Sequence, residues 1–144
     1  MATHLSVFVE NKPGKIESIT RALAEESINI LGITIASRGE FGVVKILTED
    51  PDRAYDVLRA RRFTVSRRDV VIAIIPDRPG SLHELLVNLS GKGANVDDCY
   101  GFVLAKAKEA AVVLEVHDVA AAEQALTSRG IRLLSNADVR SLER

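Results

Sequence analysis

The residues best suited to recognise a small polar molecule form two short loops of one design. Asn11-Lys12-Pro13-Gly14 and Asp77-Arg78-Pro79-Gly80 each lead from an apolar stretch into a helical pattern. A Pro-Gly step that opens a helix leaves the first-turn N–H groups facing the loop, where a partial positive charge gathers. Gly14 and Gly80 let a bound group approach the backbone closely. The Asn11 side chain accepts through its carbonyl and donates through its amide, whereas ionised Asp77 only accepts. The second loop can hold a cation but repels an anion, so the two loops are expected to be unequal. The same residues also have a local use. Asn and Asp satisfy backbone N–H groups in turns and caps, and Pro-Gly starts a helix with or without a ligand. Both uses stay open for Asn11 and Asp77.

The other reactive side chains point away from catalysis. Cys99 is the only cysteine, so an internal disulfide is impossible; in an apolar strand it is expected to be a small core residue. His4, His83 and His117 are scattered without metal-ligand spacing, and His83 is expected on an exposed helix face. Asp97 and Asp98 are neighbours on a predicted strand and face opposite ways, which makes them a poor acid–base pair. Arg59, Arg61 and Arg62 gather at a predicted helix C-terminus, where cations are favoured; Arg67 and Arg68 follow. This group could form a phosphate or RNA patch, but the aromatic strand motif of RNA-recognition domains is absent. No nucleophile–base pair, phosphate-cradling glycine loop or metal cluster is visible, so neither an enzyme nor a cofactor is expected.

The elements that position the two loops are themselves duplicated. Residues 11–16 return as 77–82, and the same offset aligns Ile19 with Leu85, Leu23 with Leu89 and Asn29 with Asn95. After a longer hairpin in the second copy, Asp50 aligns with Asp118, Ala54 with Ala122, Leu58 with Leu126 and Phe63 with Ile131. Two copies make a duplicated domain, not a solenoid. Leu5, Val7 and Val9 alternate as in a half-buried strand, and the continuously apolar Val70–Ile75 predicts a strand buried on both faces. Ile16, Ile19 and Leu23, and Leu82, Leu85, Leu86 and Leu89, recur at helical spacing. Strands are expected at 28–36 and 43–47, turning at Ser37–Glu40, and at 94–104 and 111–116, turning near Lys106-Ala107-Lys108-Glu109. Asp50 with Pro51, and Asp118, predict capped second helices; final strands fall near 63–66 and 131–134. The order β-α-β-β-α-β, twice, predicts an α+β protein of two ferredoxin-like units, each an antiparallel sheet with its helices on one face. The boundary is expected near Arg67-Arg68-Asp69, giving domains 1–68 and 69–144.

A first strand ending in Asn/Asp-x-Pro-Gly inside such a unit of about 65 residues resembles the ACT domain family, and the resemblance covers the chain as two tandem domains. It implies a stand-alone regulator that binds a free amino acid. The carboxylate would lie at the helix start and the ammonium at the loop asparagine. In that family the loop residue pairs with a second asparagine at the start of the second strand, here Asn29 or Asn95, contributed by another unit. The implied site comprises Asn11, Lys12, Pro13, Gly14 and Asn29 in the first copy. In the second it comprises Asp77, Arg78, Pro79, Gly80 and Asn95, with Val9, Ile33, Ile75 and Cys99 as apolar walls. A homodimer and a partner enzyme are the implied associations. The competing reading is a subunit-pairing or adaptor module that regulates an enzyme without a ligand of its own.

Composition fits that picture. The 144 residues are 47% hydrophobic and 27% charged with a net charge of −1, which is ordinary for a globular domain and offers no field to attract nucleic acid or an anionic membrane. The absence of tryptophan and the scarcity of other aromatics argue against base stacking. No signal peptide or membrane span is apparent, and a cytoplasmic location is expected.

Overall fold

The computed structural model describes residues 1–106 and 108–142. Packing divides the chain into two units, one of Thr3–Arg68 and one of Asp69 onward with Met1–Ala2. Ala107, in the middle of the expected second hairpin turn, lies outside the described residues.

The first unit is built on β1 (Ala2–Glu10), α1 (Lys15–Glu25), β2 (Ile30–Arg38), β3 (Phe41–Thr48) and α2 (Pro51–Ala60). It is completed by the opening residues of β4 (Thr64–Pro76). β3 pairs antiparallel with both β1 and β2, setting Val7 opposite Val44 and Ile35 opposite Val44, and Leu5 and Ile33 opposite Ile46. β4 is the other neighbour of β1. The alternating Leu5, Val7 and Val9 thus turn one way and meet Ile19, Leu23, Ala54 and Leu58 from the helices. Burying each large aliphatic chain contributes about 1.5–3 kcal/mol.

The second unit repeats the plan with the rest of β4, α3 (Ser81–Ser90), β5 (Val96–Phe102), β6 (Glu109–Val116), α4 (Val119–Thr127) and β7 (Arg132–Leu134). A short α5 (Asn136–Arg140) follows. β4 lies between β6 and β7, and β5 pairs with β6 at the edge. Val71, Ala73 and Ile75 join Leu85, Leu89, Leu114 and Leu126 in the core. Val70, Ile72 and Ile74 are buried as well, as the unbroken apolar run requires. This is the split βαβ, ferredoxin-like α+β architecture.

Local signals set the helix ends. Asp50 accepts from the Arg53 N–H and Asp118 from the Ala121 N–H, each capping its helix. All four long helices stop in the same way. Ile28, Phe63, Ala94 and Ile131 donate their N–H groups to Leu23, Leu58, Leu89 and Leu126, five residues back. The preceding residue in each case is left-handed: Ser27, Arg62, Gly93 and Gly130. This is the Schellman closure, which favours glycine at that position.

Three expectations are corrected. The separate strands at 63–66 and 70–75 are one 13-residue strand, β4. Arg67, Arg68 and Asp69 contain neither glycine nor proline and continue extended with exposed side chains. Cys99 is exposed, not a core residue. It lies opposite the buried Leu114, but on the edge strand, beyond the covered part of the sheet. Ile33 in the first unit, at the equivalent edge position, is likewise 41% exposed. Finally, α5 was not expected. Its signal is Ser135-x-x-Asp138, which forms a reciprocal capping box.

Candidate functional site

The two Pro-Gly loops leave the C-terminal ends of β1 and β4 and enter α1 and α3. Gly14 (φ 86°) and Gly80 (φ 89°) occupy the N-cap positions in the left-handed region. A side chain there would be strained, and the space above each Cα is open. Neither helix receives a hydrogen bond from a capping side chain. The contrast with α2, α4 and α5, capped by Asp50, Asp118 and Ser135, is complete. The two helices that follow Pro-Gly therefore present first-turn N–H groups and the positive end of the helix dipole to the loop.

Asn11 and Asp77 differ as their chemistry requires. Both backbone N–H groups donate at 2.7 Å across the sheet end, to the carbonyl oxygens of Glu40 and Lys108. The Asn11 amide nitrogen donates in addition to the Gly39 carbonyl at 3.1 Å, a bond that a carboxylate at position 77 cannot make. Its carbonyl oxygen is left to accept. Around the first loop, Glu10 holds Lys12 at 2.9 Å and Lys15 at 3.8 Å. The Lys12 hydrogen bond and charge, with Lys15, hold the Glu10 carboxyl below its usual range. In the second loop Arg78 reaches Glu84 at 3.6 Å. Asn11, Lys12, Pro13, Gly14, Asp77, Arg78, Pro79 and Gly80 are all exposed, as are Asn29 and Asn95.

Strand register places the asparagine partners. Asn11 follows Glu10, which faces Phe41, and Asn29 precedes Ile30, which faces Thr48. Phe41 and Thr48 are seven residues apart on β3, so Asn11 and Asn29 of one unit lie at opposite ends of the sheet, roughly 23 Å apart at about 3.3 Å per residue. The second unit repeats the spacing: Pro76 faces Glu109 and Val96 faces Val116. No single amino acid spans that distance. Each unit brings Asn11 or Asp77 together with its helix start, and does not bring it to its own Asn29 or Asn95. Asn95 instead donates to Asp97 at 3.1 Å.

The remaining candidates resolve locally. Of the expected apolar walls, Val9 and Ile75 are buried while Ile33 and Cys99 are exposed. The arginine group is largely engaged in pairs: Arg61 with Glu25 and Glu26, Arg67 with Asp52, and Arg59 with the Tyr55 hydroxyl. His83 is exposed and His4 fully buried. Partial burial, and then the Asp98 charge, push the Cys99 thiol up, the reverse of an activated nucleophile. Among the described residues no group of three or more His, Cys, Asp or Glu is placed to hold a metal, and no helix is long and apolar enough to cross a membrane. Residue-by-residue reading missed a cleft beside α3, which includes Ser81 and Asn88. Its signal was in the repeat alignment: a polar Asn88 stands where the first copy buries Ala22.

A βαββαβ unit made twice, each copy with a glycine-led, uncapped helix after its first strand, defines a tandem ferredoxin-like protein. The chain belongs to the ACT family: the model of the ACT domain pair matches residues 1–142. Among solved structures it is similar to protein BT0572 from Bacteroides thetaiotaomicron, with 34% identity over 98% of this chain and 96% of that one, and a TM-score of 0.89. The fold is shared with the ligand-free regulatory subunit of aspartate kinase from Thermus thermophilus, at 16% identity, 88% and 91% coverage and a TM-score of 0.65. The corresponding subunit from Thermus flavus, at 16% identity over 88% and 90%, has a TM-score of 0.59. No curated protein matches the chain. The chain is an ACT domain pair.

Proposed function

We propose that this protein is a cytoplasmic regulator of amino-acid metabolism that binds a free amino acid, with residues 1–68 and 69–144 as its two ACT domains. The observation that carries the reading is the capping contrast. Among the five helices of the described residues, α1 and α3 start without a side-chain cap, and both start at the Pro-Gly loops. The ligand carboxylate sits at those N–H groups, and its ammonium is accepted by the free carbonyl of Asn11. Lys12, Pro13 and Gly14 shape the first site, and Arg78, Pro79 and Gly80 the second. Asp77 makes the second site weaker for a zwitterion. Because Asn29 lies at the far end of its own sheet, the pocket is completed by Asn29 or Asn95 of another unit, in a homodimer. Ligand binding then favours the arrangement that brings the halves together, to the extent of its differential affinity. That arrangement is what a partner enzyme reads; the fold shared with aspartate kinase regulatory subunits supports such a role.

One observation favours a second reading. The Asn11 amide is already used on Gly39, as a purely structural residue would be, and the chain would then be a pairing module without a ligand. A thermal-shift screen against the twenty amino acids separates the two. Saturation at 100 times Kd adds about 2.7 kcal/mol, and each kcal/mol moves Tm by roughly 2–4 °C at this size. A shift with one or a few amino acids, lost in Asn11→Ala, is expected. A flat response to all twenty leaves the pairing module.

A further inference from the structure

The second unit contains a cleft of about 560 Å³ between α3, the end of β4, the β5–β6 hairpin and the turn from α4 into β7. Ser81, Asn88, Lys108, Glu109, Arg129 and Arg132 are among its lining residues. Ser81 is only 4% exposed, and its hydroxyl is buried with no hydrogen-bond partner among the described residues. Native proteins rarely leave such a group unpaired, and one that lines a cleft marks a place where a ligand or a water supplies the partner. The rim is rich in cations. Lys108, Arg129 and Arg132 line it with Glu84 and Glu109, and Glu84 is already drawn to Arg78. Arg132 pairs with Ile74, on the sheet face away from α3, so the cations left to the cleft are Lys108 and Arg129; beside a hydroxyl and an amide they suit a carboxylate, which arginine binds through paired hydrogen bonds.

The first repeat acts as an internal control. Where the second copy has Ser81, Asn88 and Ile131, the first has Lys15, Ala22 and Phe63. Lys15 is turned to Glu10, Ala22 is buried, and Phe63 packs against the core. Two packing positions of the first copy, Ala22 and Phe63, thus carry Asn88 and Ile131 in the second, and both line the cleft with Ser81. Duplication followed by such a change is what a newly acquired site would leave.

We propose that this cleft is a second ligand site, contained within the C-terminal unit, that binds a small carboxylate-bearing molecule through Lys108 and Arg129, with Ser81 and Asn88 at its inner wall. It adjoins the second Pro-Gly loop, with Ser81 following Gly80, but extends along α3 to Asn88 and needs no second unit. Its volume suits a metabolite.

The test is an NMR titration of the full-length protein with succinate, and with glycine as the smallest zwitterion, against sodium chloride at matched ionic strength. Saturable shifts are expected at the amides of Ser81, Asn88, Lys108 and Arg129, with the apparent Kd weakened at least tenfold in Arg129→Ala and in Lys108→Ala. Glycine sharing the response identifies the carboxylate as the anchor; a response to succinate alone identifies a dianion site. Ser81→Ala should keep the spectrum of the folded protein, raise Tm and weaken binding. Asn11→Ala should leave this titration unchanged, which separates the cleft from the first loop, and the responses of Asn88 and Arg129 separate it from the second. An equal response to chloride, shifts confined to residues 77–82, or unchanged affinity in both Arg129→Ala and Lys108→Ala would overturn the proposal.

Discussion

Among the described residues two hydroxyls are buried without a hydrogen-bond partner, Ser81 Oγ and Thr48 Oγ1, and they allow a sharp test of how the chain is stabilised. Each side chain is nearly sealed, at 4% and 1% exposure. A buried polar group with no partner costs roughly 1–3 kcal/mol relative to its hydrated state. Removing the group while keeping the shape should return part of that. Ser81→Ala deletes a single oxygen at the first position of α3, and alanine is also the better helix former. Thr48→Val exchanges the hydroxyl for a methyl of similar size in β3, where valine fits the strand at least as well. Each change should raise stability by about 1 kcal/mol, and the two should add, because they lie in different units. Urea unfolding followed by circular dichroism measures this. With m of about 1–3 kcal/mol/M, 1 kcal/mol displaces the midpoint by roughly 0.3–1 M. A loss of more than 1 kcal/mol in either variant, with m unchanged, would show that its hydroxyl is paired in solution and refute the reasoning.

Three further outcomes follow from the same geometry. Asp50→Ala and Asp118→Ala each remove a side-chain cap and should cost about 1 kcal/mol in chemical denaturation; the matching asparagine variants should cost much less. Ser27 and Arg62 hold the left-handed closures that Gly93 and Gly130 hold in the second copy, so Ser27→Gly and Arg62→Gly should each stabilise by up to about 1 kcal/mol. The same assay checks this, and destabilisation of both would contradict the closure argument. Asp138 is held below its usual range by the Ser135 backbone and side-chain hydrogen bonds, and Glu10 by Lys12 and then Lys15. A carboxyl lowered on folding contributes stability above its unfolded pKa and loses it as pH falls through the folded value. Carboxyl NMR titration should therefore show each midpoint below the ordinary value for its residue type, with the α5 cap loosening only in stronger acid.

Much of this architecture was legible because local signals and global plan agree. The period-2 run at Leu5, Val7 and Val9, the helical spacing of Ile19 and Leu23, and the Asp50 and Asp118 caps each dictate their element with little help from tertiary context. Recurrence at a near-constant offset turned a short Pro-Gly motif into a specific one. What escaped depends on neighbours. Apolar content cannot say that Cys99 lies on an edge strand, because exposure there is decided by where the helices end. Nor do the charges at Arg67, Arg68 and Asp69 break a strand, since extended backbone tolerates them when they face solvent. The candidate site was legible as loops and not as a pocket. Residue types give the chemistry of Asn11 and Asn29, while only strand register shows that one unit holds them a full sheet length apart.

That separation makes the central claim directly testable. Once the thermal screen has named a ligand, isothermal titration of the wild type, Asn11→Ala and Asn29→Ala should show both single variants weakened at least tenfold, although the two residues are roughly 23 Å apart within a unit. Loss in both variants requires a site shared between units. Full affinity in both would mean that neither asparagine belongs to the site, and the loops would be helix starts alone.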